Sequence, residues 1–303
     1  MGLEKDSRLE TTIIVRGYAM ALIVSPVAAT VGIAVKYSGL SWPQMVGPVF
    51  LLSLSGLVAA FFLETSRTAG RKGITPNQGF MELQPPKISA HRVVSFLVLF
   101  LGVVGGTLFL GNVWHVPSLS SIALGCLFAT FTWGMFSGQL SPLLKRSFSF
   151  FNQGIIKMAD QTALFIAAGF FTYAMEASGA LKLIGNLMET VAGRVDIVVI
   201  LAAVPLIIML LALVGLHPFA SGIIMAKTLL ATPLEFNTLG LAIALMGGMS
   251  MSFVLSPYSI LILILSSLTG KSPYKLGMRW NSAFAVVFWG MTAVFIFFVA
   301  RFP

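Results

Sequence analysis

The sequence predicts an all-α integral membrane protein: about seven spanning helices plus one re-entrant hairpin, arranged as an inverted-topology repeat with broken helices. Three observations carry that reading. Of 303 residues, 57% are hydrophobic and only 10% are Asp, Glu, Lys or Arg, against about 25% charged in an ordinary soluble domain. The few charges are gathered into clusters, so that 37–63, 93–144, 197–226, 236–270 and 280–300 contain none, and each of these windows holds the ~20 apolar residues of a spanning helix. A Ser-Pro pair recurs 231 positions apart, at Ser25-Pro26 and Ser256-Pro257. The apolar runs are continuous rather than alternating, which excludes a β-barrel and leaves helices to satisfy the backbone in lipid.

Taken in order, residues 1–10 (MGLEKDSRLE) are polar and no small-residue cleavage site follows a short apolar stretch, so the first helix is expected to stay uncleaved. Apolar elements fall near 11–36, 43–64, 92–112, 118–140, 161–178, 195–231, 238–270 and 280–301. The first and seventh are broken helices, because proline removes a helical hydrogen bond at Pro26 and at Pro257. The 195–231 element is too long for one span and too short for two, with Gly215-Leu216-His217-Pro218 at its middle. A re-entrant hairpin with its tip there fits that length.

Residues 65–91 are polar and rich in Pro and Gly, and read as a cytoplasmic linker between 1–64, the end of a first repeat, and 92–303, a second. The 144–160 segment mixes Phe with Lys and Arg, as an interfacial helix does, a plain polar loop being the alternative. The lone Cys126 reads as a packing residue. Gly102 with Gly106 and Gly134 with Gly138 suit close helix packing or dimerisation.

Four basic segments (1–16, 65–92, 144–159 and 271–279) fall on one side of these crossings and hold fourteen of the nineteen Lys and Arg. The other side has Lys36, Lys182, Arg194, Lys227 and Arg301. The richer side is assigned to the cytoplasm of a multi-pass cell inner-membrane protein, with the N-terminus inside and the C-terminus outside. The net charge of +9 is thereby explained by the membrane surface, with no nucleic-acid partner.

The Ser-Pro match extends on both sides. Met20 to Val27 aligns with Met251 to Tyr258, and Gly39 with Gly270. The two copies cross in opposite directions on the charge count, which is an inverted repeat. The first copy lacks its opening helices and a counterpart of the 195–231 hairpin, so the expectation is either a fragment or a separate subunit that supplies them.

Broken helices survive in lipid only where they face protein or water, which points to a shared cavity between them. The substrate- or ion-binding candidates are Ser25, Pro26 and Thr30 at the first break, Ser256, Pro257, Tyr258 and Ser259 at the second, and His217, Pro218 and Ser221 at the hairpin tip. His217 either relays protons or contacts an anion, or is a neutral histidine satisfied by a carbonyl. Lys227 is expected to snorkel outward, and Glu176 and Asp160 to be interfacial or capping groups. No metal or cofactor is expected, Na⁺ and H⁺ being the candidate coupling ions.

The stretches LVGLHPFASGIIMAKTL, MGGMSMSFVLSPYSILILILSSLTGKSPYKLGMRWN and IVRGYAMALIVSPVAATVGIAVKYSGLSWPQM resemble the second hairpin turn, second broken helix and first broken helix of the ion transporter superfamily, in particular of divalent anion/sodium symporter-type permeases. The interfacial 144–160 segment is also similar to a feature of that family. The resemblance implies a secondary active transporter, or the C-terminal two thirds of one, moving a small solute, expected to be anionic, by alternating access. That family carries Ser-Asn-Thr at each hairpin tip; this chain has His217-Pro218-Phe219. Two other functions are kept. A noncatalytic subunit could complete a larger permease, as a second copy or a complementary membrane chain. An intramembrane enzyme would need a Ser/His pair, paired aspartates or His-Glu-x-x-His, and the last two are missing.

Overall fold

A computed structural model describes residues 2–26, 28–69, 90–114, 116, 118–154, 159–192 and 194–301. Every regular element among them is helical: α1 (Gly2–Val24), α2 (Ala29–Ser38), α3 (Trp42–Ala69), α4 (Ala90–Trp114), α5 (Ser118–Phe136), α6 (Leu140–Ser149), α7 (Ala159–Ala177), α8 (Ala180–Ala192), α9 (Ile197–Leu213), α10 (Pro218–Leu230), α11 (Thr238–Leu255), α12 (Ile260–Thr269) and α13 (Trp280–Arg301). Short π-helical turns stand at Phe150–Gly154 and Lys275–Arg279. Four stretches, Arg8–Ser38, Trp42–Ser66, Thr238–Thr269 and Lys275–Arg301, are long and apolar enough to cross a membrane. The chain is therefore an all-α protein with the helices of a membrane protein.

The chain divides into two compact units, 1–73 with 167–303, and 74–166. In the first, α11 is the central helix, and every residue from Gly240 to Val254 is buried. Glycines let its neighbours approach. A Cβ at Gly248 would lie 2.8 Å from Pro205 Cα of α9, and one at Gly222 of α10 would lie 2.4 Å from Met249 Sδ. The register of α9 beside α11 is set by two hydroxyls one turn apart. Ser252 Oγ donates to Ile208 O at 3.3 Å and Ser256 Oγ to Ala212 O at 2.8 Å, so the two helices run parallel.

Helix ends carry their expected caps. Asp196 caps α9 at Val198 N (2.9 Å) and Asn237 caps α11 at Gly240 N (2.9 Å). The apolar 195–231 element folds as a helical hairpin, α9 and α10, turning through Val214–His217. Gly215 takes φ 106° there, a conformation that suits glycine.

In the second unit α4 and α5 lie side by side. A cavity of about 800 Å³ opens between the start of α4 (Val94, Val98) and the end of α5 (Thr132, Trp133, Phe136). The predicted interfacial segment is helical over Leu140–Ser149 and π-helical to Gly154, with Lys145, Arg146, Phe148, Phe150 and Phe151 exposed. Its residues 155–158 lie outside the described residues, as do 70–89 of the predicted linker. Two boundaries differ from the sequence reading. The first helix starts at Gly2, nine residues before the apolar run, since residues 3–10 contain no proline or glycine to stop it. The stretch after 178, given no element from sequence, contains the amphipathic helix α8.

Candidate functional site

Both Ser-Pro sequences interrupt their helices, and the physical reason is the same at each. Proline has no N–H for the carbonyl four residues back. Pro26 orphans Leu22 O, which accepts instead from the Thr30 hydroxyl. Pro257 orphans Phe253 O, which accepts from Ser259 Oγ at 2.8 Å. Around these substitute bonds the backbone repeats. Ala28 N donates to Ser25 O (3.0 Å) and Ser259 N to Ser256 O (3.1 Å), closing matched turns. Ala28 (φ −73°, ψ 136°) and Ser259 (φ −69°, ψ 139°) then start α2 and α12 from the same conformation. Both short helices are 10 residues long and end on a left-handed glycine, Gly39 and Gly270.

The surroundings of the breaks differ. At the second, the hairpin tip docks onto the turn. Ser256 holds the carbonyl of Ala212 in the last turn of α9 and also accepts from Tyr258 N at 3.3 Å. The site of a Cβ on Gly215 is 3.9 Å from the Tyr258 ring. The His217 ring stands edge-on to Phe219 (4.8 Å) and Phe253 (5.9 Å), and Phe253 is also met edge-on by Tyr18 of α1 (6.2 Å). His217 also caps α10, its Nδ1 accepting from Phe219 N at 3.3 Å, with Pro218 opening the helix and Ser221 Oγ donating back to His217 O. Gly277 also sits against the break, where a Cβ would lie 2.5 Å from Leu255 O.

No matching family model and no matching curated protein was found for this chain. What the site can do is read from its own geometry.

The structure brings His217, Pro218, Ser221, Ser256, Pro257, Tyr258 and Ser259 into one neighbourhood. Ser25, Pro26 and Thr30 belong to the first break, whose helix α2 packs against α10 and α11; Thr30 turns to its own Leu22 carbonyl, and among the described residues no side-chain bond joins Ser25 to the hairpin tip. Val24 O, the last carbonyl of α1, is reached by Trp42 Nε1 at 3.2 Å. The site is more aromatic and its serines more occupied than the sequence alone indicates, since Ser256 and Ser259 each donate to a backbone carbonyl. Polar capacity remains in the same bundle. Thr228 Oγ1 of α10 and Ser250 Oγ of α11 are fully buried and have no hydrogen-bond partner among the described residues. Hydroxyls in that state take up bound water or a ligand oxygen.

Sequence reasoning missed a second polar feature. Arg16 of α1, 2% exposed, pairs with Glu64 of α3 at 2.8 Å. Its Nε donates to Asn281 Oδ1 (2.9 Å), its remaining nitrogens to Trp280 O and Ala60 O, and its guanidinium lies 5.0 Å over the Phe284 ring. The signal was available: Arg16 lies inside the apolar run 11–36 and Glu64 ends the run 43–64, and ionisable groups in such segments need a named partner. Lys227, expected to snorkel into water, reaches Glu176 at 2.6 Å. Asp160 carries no described side-chain placement.

Proposed function

We propose that the chain is a membrane transporter, or the transport-bearing part of one, that moves a small anionic solute by alternating access with Na⁺ or H⁺ as coupling ion. The observation that carries this reading is the docking of the hairpin tip on the second Ser-Pro break. Two helix N-termini, those of α10 and α12, begin there within one cluster of side chains. Helix N-termini present N–H groups and the positive end of the dipole, which favours an anion. The matched turn at Ser25–Ala28 supports a second, symmetry-related break, as expected of an inverted repeat.

Membrane placement has independent support. The Arg16 cluster meets the start of α13 at Trp280 and Asn281, and the Asp196–Arg301 pair (3.2 Å) closes its end. Those charges are separated by about 30 Å of helix rise, the thickness of a bilayer's hydrocarbon core. In this reading His217 and Tyr258 supply polar contacts to the solute, Phe219 and Phe253 the apolar wall, and Ser256 and Ser259 hold the break open rather than grip the solute.

The test is a thermal-shift screen of the purified protein against small carboxylates, oxyanions and sugar acids, with and without Na⁺ and at two pH values. A true ligand at a hundredfold excess over its Kd stabilises by about 2.7 kcal/mol. Stabilisation that needs Na⁺ assigns the coupling ion. Uptake into proteoliposomes then has to fall in Pro257→Ala while membrane insertion holds; undiminished uptake would remove the site. If uptake requires a second polypeptide that co-purifies, the chain is instead a subunit of a larger permease.

A further inference from the structure

The second unit carries an element whose polar face the transport reading does not use. After α5 the chain turns at Gly138, whose φ of 67° suits glycine. Helix α6 then folds back, so that Leu140 and Leu143 lie 3.5 and 3.4 Å from the site of a Cβ on Gly134 of α5. At helical spacing these leucines share a face with Leu144 and Phe148, while Ser141, Lys145, Arg146 and Ser149 fall on the opposite side. Leu144, Phe148, Phe150 and Phe151 are 47%, 70%, 53% and 65% exposed, so the apolar side is only partly covered by α5. Lys145 and Arg146 are exposed as well, and neither forms an ion pair among the described residues. The local sequence offers them no counter-charge, since residues 83–159 contain no Asp or Glu. Helix α4 begins at the end of the pair where α5 finishes, with Arg92 in its first turn, so that this end is basic.

We propose that residues 140–154 dock on the anionic phospholipids of the membrane surface, with Lys145 and Arg146 at the headgroup phosphates and Leu144, Phe148, Phe150 and Phe151 entering the acyl region. Both halves of the element select this partner. An acidic protein or a nucleic acid would match the two cations but leave the leucine and phenylalanines in water, whereas a bilayer surface takes the apolar side and the basic side together. The π-helical turn Phe150–Gly154 extends the apolar side beyond α6, its two phenylalanine rings edge-on at 6.4 Å. Charge then decides between lipids. A zwitterionic head brings its own ammonium against Lys145 and Arg146, while an anionic head adds net negative charge that no carboxylate of this segment repels. Each Lys or Arg at such a surface strengthens binding about fivefold. Ser141 and Ser149, exposed on the same face, add hydroxyls that can donate to phosphate oxygens. This docking stands whether or not the chain transports a solute.

The experiment is amide hydrogen exchange over residues 140–154 of the full chain, in nanodiscs of phosphatidylcholine alone or of phosphatidylcholine and phosphatidylglycerol in equal parts. Phosphatidylglycerol is expected to slow exchange about tenfold, and added salt to shrink that difference. Lys145→Gln combined with Arg146→Gln is expected to abolish it, and Lys145→Arg to keep it. Should the double variant fail to fold, Lys145→Gln alone carries the test, with an expected loss of about fivefold. Phe148→Ala combined with Phe151→Ala is expected to speed exchange in both kinds of disc, because the apolar side serves either lipid. Equal wild-type exchange in the two discs, a slowing that survives in the glutamine variants, or exchange unchanged by the alanine pair would overturn the proposal.

Discussion

The two broken helices share a backbone turn and are held by opposite chemistry. The first, α1–α2, is tied to α3 and α13 by a buried charge pair, Arg16 with Glu64, and to Trp42 through Val24 O. The second, α11–α12, has no charge along its length and is tied to α9 by two serine hydroxyls one turn apart. A hydroxyl–carbonyl bond contributes about 1 kcal/mol net and can be exchanged at small cost. A desolvated ion pair is costly to leave half-made. The lesson is one of division of labour: the first helix is anchored by a pair that is costly to separate, and the second is held by bonds that cost little to exchange.

The sharpest way to break this comparison is Glu64→Ala. It leaves Arg16 buried without its carboxylate and is expected to destabilise by about 3–5 kcal/mol, read as a loss of melting temperature in detergent. Arg16→Met combined with Glu64→Leu should recover most of that loss, because an apolar pair of similar volume needs no counter-charge. A double variant as unstable as the single one would mean that Asn281 and Trp280 O, not Glu64, are what Arg16 is there to bind.

A smaller contrast comes from the serines of the two breaks. Ser256→Ala removes the donor to Ala212 O and is expected to cost about 1–3 kcal/mol. The same change at Ser25, whose hydroxyl holds no carbonyl among the described residues, should stay within about 0.5 kcal/mol. Equal losses in chemical denaturation would show that the turn itself, not the hairpin contact, is what matters. The bonds that replace those lost to proline should behave alike. Thr30→Val and Ser259→Ala each strand one carbonyl, with an expected cost of about 1–3 kcal/mol apiece. A large difference between them would separate two breaks whose local geometry agrees so closely.

The smallest effect is expected at the periphery. Lys227 and Glu176 form a partly exposed pair at 2.6 Å, and Lys227→Ala should change stability by about 0–1 kcal/mol, less at high salt. A loss well above that range would show that the pair is desolvated rather than at a solvent-exposed rim.

Much of this was legible from the residue order because it is governed by short-range chemistry. Pro26 and Pro257 break helices wherever they stand in an apolar run, and Gly39 and Gly270 end them in the left-handed conformation. The hairpin turn at 214–217 followed from length and from the Gly-Leu-His-Pro tetrapeptide. The aromatic ring cluster did not. Tyr18, Phe219 and Phe253 belong to three different elements, and each looks like one more apolar residue until the chain brings them around His217. The amphipathic α8 was missed for a related reason, its polar face hiding a short helix between two longer apolar runs.

Composition and the placement of charges determined by themselves that this is a helical protein suited to a bilayer, and the two prolines determined where its helices must stop. These are properties of single segments in a solvent without hydrogen bonds, and no partner can change them. Tertiary structure alone decided that Ser256 would be occupied by the Ala212 carbonyl of α9, and that Arg16 would find Glu64 forty-eight residues away. Those choices depend on which helices lie side by side, and that packing is set by glycines and methionines whose role no local pattern announces.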